Sequence, residues 1–265
     1  MHEEVTLFMH QWIIPSLGGL IATCTALIAA FTGGGSAFLL FPFLLLFLKG
    51  SYISLFAVAK ISATLMTFVA SQIHWKKRQQ LDFRLFLVLS ICGLIGTIIG
   101  TYVIRYEFNE QIFRMIMASV LLSTALFLAF SKKIGLGLET PKKLTEKLLI
   151  ITAVFTIFTN ILNGIFGGTG ILLTLYLVSI LRIPFIQSIA YTMLCYFVIN
   201  IFQTSYLLSI ADIDIKLGLA VAIGGIIGSW TGTHLQYWKG NIWVKKGATL
   251  GIFLISLKLI SESIF

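Results

Sequence analysis

An all-α polytopic membrane protein made of two inverted-topology repeats is the fold class this sequence predicts, and three observations predict it. Of the 265 residues, 58% are hydrophobic and 11% charged, and the mean hydropathy is +0.98, outside the usual make-up of soluble domains. Residues 5–48, 85–104, 148–181, 183–211 and 217–238 contain no Asp, Glu, Lys or Arg; a helix needs roughly 20 apolar residues to cross about 30 Å of hydrocarbon. The third observation is a duplication. Residues 81–103, "LDFRLFLVLSICGLIGTIIGTYV", align without a gap on residues 213–235, "IDIKLGLAVAIGGIIGSWTGTHL", with nine of the 23 positions identical. A shared GxxG[ST]xxGT, the Asp82/Asp214 identity and the Arg84/Lys216 match are hard to reach by composition alone.

Taken in order, the first repeat occupies residues 1–131, a basic cytoplasmic linker residues 132–147, and the second repeat residues 148–265, together one integral membrane domain. Five apolar segments are predicted in the first repeat, near 11–32, 36–48, 52–73, 84–104 and 112–131. The start "MHEEV" lacks the basic n-region of a signal peptide and the apolar run passes forty residues, so the first segment is expected to stay in the mature protein. The second segment follows "GGGS" and has about 13 apolar residues before Lys49, as a helix roughly 20 Å, too short to cross alone. The second repeat predicts matching segments near 148–166, 170–182, 186–209, 216–238 and 243–261. Its short member follows "GGTG" and ends at Arg182 and Pro184.

Orientation follows from loop charge. Lys76, Lys77, Arg78 and Arg84 crowd the loop 74–84, and five lysines the linker, placing both in the cytoplasm. The loop equivalent to the first, "LLSIADIDIK", has two aspartates and one lysine and belongs outside. Equivalent loops on opposite faces require an odd number of crossings per repeat, hence inverted repeats with both termini outside. The net charge of +9 is thus a topology signal, and no nucleic-acid partner is expected; membrane lipid is.

Several chemistries find no support. Cys24, Cys92 and Cys195 lie far apart in apolar spans without a CxxC or Cys/His cluster, and read as small core residues rather than a metal site or disulfide. HExxH, GxSxG, a P-loop and paired intramembrane carboxylates are missing from the sequence, so an enzyme is not expected, nor a cofactor or metal. His10, His74 and His234 are the candidates for a proton relay.

The breaks carry the functional signal. Short, glycine-interrupted segments at matching positions of two halves point to a transporter's binding site, and broken backbone inside a bilayer is tolerated only where protein or a water-filled cavity satisfies it. Helices starting at the two breaks present free N–H groups and positive dipole ends, and glycine lets an anion approach the backbone. Two such ends meeting near the midplane make an anion site from Gly33, Gly34, Gly35 and Ser36 with Gly167, Gly168, Thr169 and Gly170. Close helix packing is the alternative reading of any membrane glycine. It is preferred for GxxGTxxGT, whose period of four stacks the glycines on one face.

Lys60, about nine residues into its helix, is a functional candidate because intramembrane ionisable groups usually are; snorkelling to the nearer surface is the alternative. Thr64 and Gln72 on the same helix, Asn163 before "GGTG", and Thr192, Asn200 and Gln203 in the second repeat are candidate hydrogen-bonding groups. Asn200 and Gln203 share a helical face, as do Asn160 and Asn163. Asp82 and Asp214, at helix starts, read as caps.

"FTGGGSAFLLFPFLLLFL" resembles the glycine-rich motif followed by a proline that opens each half of the sulfite exporter TauE/SafE family, also called the toluene sulfonate uptake permease family. "IFGGTGILLTLYLVSIL" is similar to its second copy, and both GxxG[ST]xxGT segments fit the family's later helices. The resemblance covers nearly the whole chain. It implies a transporter of the cytoplasmic (inner) membrane for sulfur-containing anions such as sulfite, sulfoacetate or other organosulfonates, working outward by alternating access at the glycine breaks. A passive anion channel, or a carrier of another small organic anion, is the alternative. The second copy lacks a proline matching Pro42, and Lys60 stands where the resemblance implies a small or hydroxyl residue; a cation there suits a substrate with two negative ends. The glycine stripes can pack within one protomer or between two, so a homodimer is open.

Overall fold

The computed structural model describes residues 13–48, 51–77, 81–103 and 140–264, with positions 119, 122, 126, 135 and 136 between. The segment expected near 112–131 and His10 lie outside the described residues. Eight helices are found among those described: α1 (Ile14–Thr32), α2 (Ser36–Phe47), α3 (Tyr52–Lys76), α4 (Phe83–Val103), α5 (Glu146–Phe166), α6 (Gly170–Ser179), α7 (Phe185–Ile210) and α8 (Ile215–Ile264). All but α2 and α6 are long and apolar enough to cross a membrane, so the chain is a multi-pass membrane protein. Its outward face is apolar, with Leu20, Ile98, Phe158 and Ile215 all exposed, the dress of a protein solvated by lipid.

Local chemistry sets the ends. Pro15 opens α1, where its missing N–H costs nothing, and Ser51 and Thr145 cap α3 and α5 by accepting from the N–H groups of Ser54 and Leu148. Asp82 caps α4, its Oδ1 accepting from Arg84 N at 2.8 Å and Leu85 N at 3.3 Å. Asp214 repeats the arrangement on α8, from Lys216 N at 2.8 Å and Leu217 N at 3.3 Å. The duplication is therefore visible at the level of single hydrogen bonds. The two segments expected at 216–238 and 243–261 are the arms of α8, which breaks at Gly240, φ 78° and ψ 178°.

The halves are interleaved rather than juxtaposed. The glycine stripe of α4 packs on α5, and that of α8 on α1. A Cβ on Gly96 would meet Ile157 O at 2.4 Å and one on Gly100 would meet Ile161 O at 2.1 Å. In the other half, a Cβ on Gly228 would meet Thr23 O at 2.2 Å and one on Gly232 would meet Leu27 O at 2.4 Å. Any side chain would force the backbones apart. The stripes are thus used up inside one protomer, which removes the reason they offered for a homodimer. Between these pairs α3 packs against α7, and α2 and α6 fill the middle.

One expectation needs correction. Only Cys195 is buried; Cys24 is exposed and Cys92 half-buried, so two of the three cysteines are not core residues. His74, in the last turn of α3, is fully buried, its Nδ1 2.7 Å from Tyr237 Oη, and ties α3 to α8.

Candidate functional site

The two breaks meet. Gly33 ends α1 in the left-handed region, φ 78°, its N–H returning to Ala29 O, and three residues later Ser36 starts α2. Gly167 ends α5 at φ 66°, and α6 starts at Gly170. A Cβ on Gly35 would lie 2.0 Å from Gly168 Cα, so the breaks cross glycine on glycine, in backbone contact. Gly33 O accepts from Thr174 Oγ1 of α6 at 3.3 Å, a strap between the halves.

At the crossing lies a small, partly open cavity of about 10 Å³, room for one water-sized molecule. Gly34, Gly35, Gly168 and Gly170 of the breaks line it, and α3 and α7 close it with Lys60, Thr67, Thr192, Tyr196 and Asn200. Each wall is a helical face: Lys60 and Thr67 are seven residues apart on α3, and Thr192, Tyr196 and Asn200 follow at intervals of four on α7. Asn163 of α5 completes it. Tyr196 and Thr67 went unnoticed in the sequence, although their spacing from Asn200 and Lys60 is the signal that finds them.

The Lys60 side chain is 1% exposed, so it does not snorkel. Its Nζ reaches Asn200 Oδ1 at 3.5 Å and stands 5.5 Å from the Phe56 ring centroid. A Cβ on Gly167 would be 3.1 Å from Lys60 Cε, so only glycine there leaves room for the lysine stem. Asn200 Nδ2 in turn donates to Thr67 Oγ1 at 3.5 Å. No Asp or Glu lines the cavity. A buried ammonium held by one long hydrogen bond and the face of an aromatic ring costs several kcal/mol unless a counter-charge joins it.

Two more groups await partners. Asn163 Oδ1 accepts from Gly168 N at 2.7 Å, which turns its Nδ2 away from the break, and that Nδ2 has no partner. Ser36 Oγ, at the first residue of α2, is fully buried and also unpaired. The centre of the molecule therefore holds a lysine and unfilled donors beside two helix starts, with no carboxylate among the described lining residues, chemistry that favours an anion over a cation.

The remaining candidates lie further out. Thr64, one turn along α3, bonds Thr204 Oγ1 at 2.7 Å and Lys60 O at 2.8 Å, fixing the lysine's backbone to α7. Thr169 is buried, donating to Thr159 O at 2.7 Å. Gln203 is buried at the junction of α4, α5 and α7, its Nε2 donating to Thr101 Oγ1 at 3.0 Å and Gly164 O at 3.1 Å; it is a brace between helices. Gln72 is exposed near the end of α3, and the structure does not bring it to the cavity. In the duplication Gln72 falls opposite Gln203 with a small gap between, but α3 and α7 do not present the two positions to the same neighbours.

Residues 18–259 match the family model described as sulfite exporter TauE/SafE. A "Probable membrane transporter protein" of Haemophilus influenzae is 22% identical over 195 residues, covering 73% of this chain and 75% of that protein. No solved structure matches at a significant level.

Proposed function

Because the chain belongs to the sulfite exporter TauE/SafE family, we propose that it is a secondary transporter of small sulfur-containing anions, sulfite or organosulfonates such as sulfoacetate, bound where the glycine breaks cross. The observation that carries this reading is the balance of charge at the cavity: Lys60 and the unpaired Asn163 Nδ2 line it with no carboxylate among the described lining residues, and Ser36 Oγ is unpaired at the start of α2. A sulfonate or sulfite group offers negative charge and several acceptor oxygens, which is what these donors lack. The relative from Haemophilus influenzae is named a membrane transporter, which supports the class and leaves the substrate to the site's chemistry.

The reading includes two inverted repeats in the cytoplasmic membrane with both termini outside, on the strength of the loop charges. The reciprocal packing of α1 on α8 and α5 on α4 supports it. Transport runs outward by alternating access around the crossing, α3 and α7 being the walls that move.

Purified protein in liposomes tests it. Flux of sulfite, sulfoacetate or taurine down an imposed gradient, saturating with concentration, is expected; a flux linear in concentration favours a pore, and no flux removes the reading. Thermal-shift binding adds the location: Lys60→Ala and Gly34→Leu are each expected to weaken affinity at least tenfold. Unchanged affinity in both moves the site elsewhere.

A further inference from the structure

We propose that Lys60 makes the conformational change of this protein conditional on an occupied site, so that it works as an anion exchanger rather than as a uniporter. The inference rests on the anion reading of the cavity and goes beyond it to the coupling of flux.

An alternating-access carrier passes through a state closed on both sides, and the crossing, with room for one water-sized molecule beside a buried lysine, lies near such a state. In it the Lys60 ammonium is 1% exposed, with Asn200 Oδ1 at 3.5 Å as its one hydrogen-bond acceptor. None of the elements around it supplies a negative charge: α2 and α6 contain no acidic residue, and the only acidic residue of α5 is Glu146, at its far end. Where α3 meets α7 and α8, the lysine's neighbours are Thr204, Thr67 and Asn200, with Ser229 and Gly225 along the same helix. Among cavity-lining groups Tyr196 is the other titratable side chain, and its hydroxyl is taken up by Thr169 at 3.4 Å.

An anion is larger than the water-sized space, so its entry spreads the walls α3 and α7; once bound, it pairs the lysine's charge and offers acceptors to Asn163 Nδ2 and Ser36 Oγ, which have none. Empty, the carrier must close around a lone cation or strip the lysine of its proton, and each costs free energy that a bound anion spares. The loaded carrier therefore crosses between its two open forms faster than the empty one. Each anion leaving is replaced by another returning. The corresponding position region of α7 presents Thr192 and Asn200, neutral groups that impose no such condition, so the property resides in one side chain.

Reconstituted vesicles loaded with radiolabelled sulfite, with the membrane potential clamped by potassium and valinomycin, provide the test. Efflux is measured into medium with and without unlabelled sulfite. For the wild type, external sulfite is expected to speed efflux at least tenfold. Lys60→Met is expected to bind sulfite more weakly and to lose the acceleration, net efflux and exchange becoming equal within twofold, and Lys60→Arg to retain it. Equal rates with and without external sulfite in the wild type overturn the exchange inference and leave anion transport standing. Retention of the acceleration in folded Lys60→Met, checked by its unfolding temperature, also overturns it. No efflux under any condition from folded wild type overturns the transport reading itself.

Discussion

Lys60 of the first half and Asn200 of the second stand 3.5 Å apart, Nζ to Oδ1, across the cavity at the centre of the protein. An amide dipole orients the cation without neutralising it, which leaves the charge available to a ligand.

Asn200→Asp supplies that missing counter-charge from within. The unfolding temperature is expected to equal or exceed that of the wild type, because a buried ammonium gains a carboxylate, while the shift produced by sulfite disappears. A sulfite shift of unchanged size in Asn200→Asp shows that the anion does not use Lys60.

The glycine crossing separates space from shape. At Gly34 the nearest heavy atom to an added Cβ is 3.5 Å away, so Gly34→Ala is expected to fold with a stability change under about 0.5 kcal/mol. Gly35→Ala drives a methyl into Gly168 Cα at 2.0 Å and is expected to destabilise by about 3 kcal/mol as the breaks separate. Detergent-phase unfolding of the two variants side by side gives the contrast; equal stability means that the breaks do not touch.

Interleaving predicts symmetric damage. Gly100→Leu and Gly232→Leu sit at equivalent places on α4 and α8, each with a partner carbonyl within 2.4 Å of the new Cβ, and both are expected to lower the unfolding temperature strongly and to a similar degree. Asp82→Ala and Asp214→Ala remove equivalent caps, with losses of about 1 kcal/mol each. A large inequality within either pair contradicts the equivalence of the halves.

Gln203 and Gln72, aligned in sequence, are expected to behave differently. Gln203→Ala removes two buried donations, to Thr101 Oγ1 and Gly164 O, at a cost of about 1–3 kcal/mol, whereas Gln72→Ala at an exposed position changes stability by less than about 0.5 kcal/mol. Urea unfolding in mixed micelles measures both.

Much of this was legible because the responsible signals are local or periodic. Aspartate followed by a basic residue and an apolar run announced the α4 and α8 caps, and the period-four glycines announced a packing face. Which helix each stripe meets was not legible, since the exchange of partners between halves depends on three-dimensional closure. The breaks were readable as a paired feature, but Tyr196 and Thr67 became visible only once α3 and α7 had a common rotational setting. Gln72 lies outside the cavity for the same reason: each residue along a helix turns about 100°, and sequence matching across a small gap does not fix which face a side chain takes.

The partner exchange also bears on how the chain is made. When the first half has emerged from the ribosome, α1 and α4 have no glycine-matched neighbours, because those are α8 and α5. Until the second half is inserted, Thr23, Leu27 and the α4 glycines face lipid or whatever insertion factor shields them. Synthesis of the protein thus has a window in which the first half is complete in sequence and incomplete in surface, and α1 waits for its partner until α8 has been made.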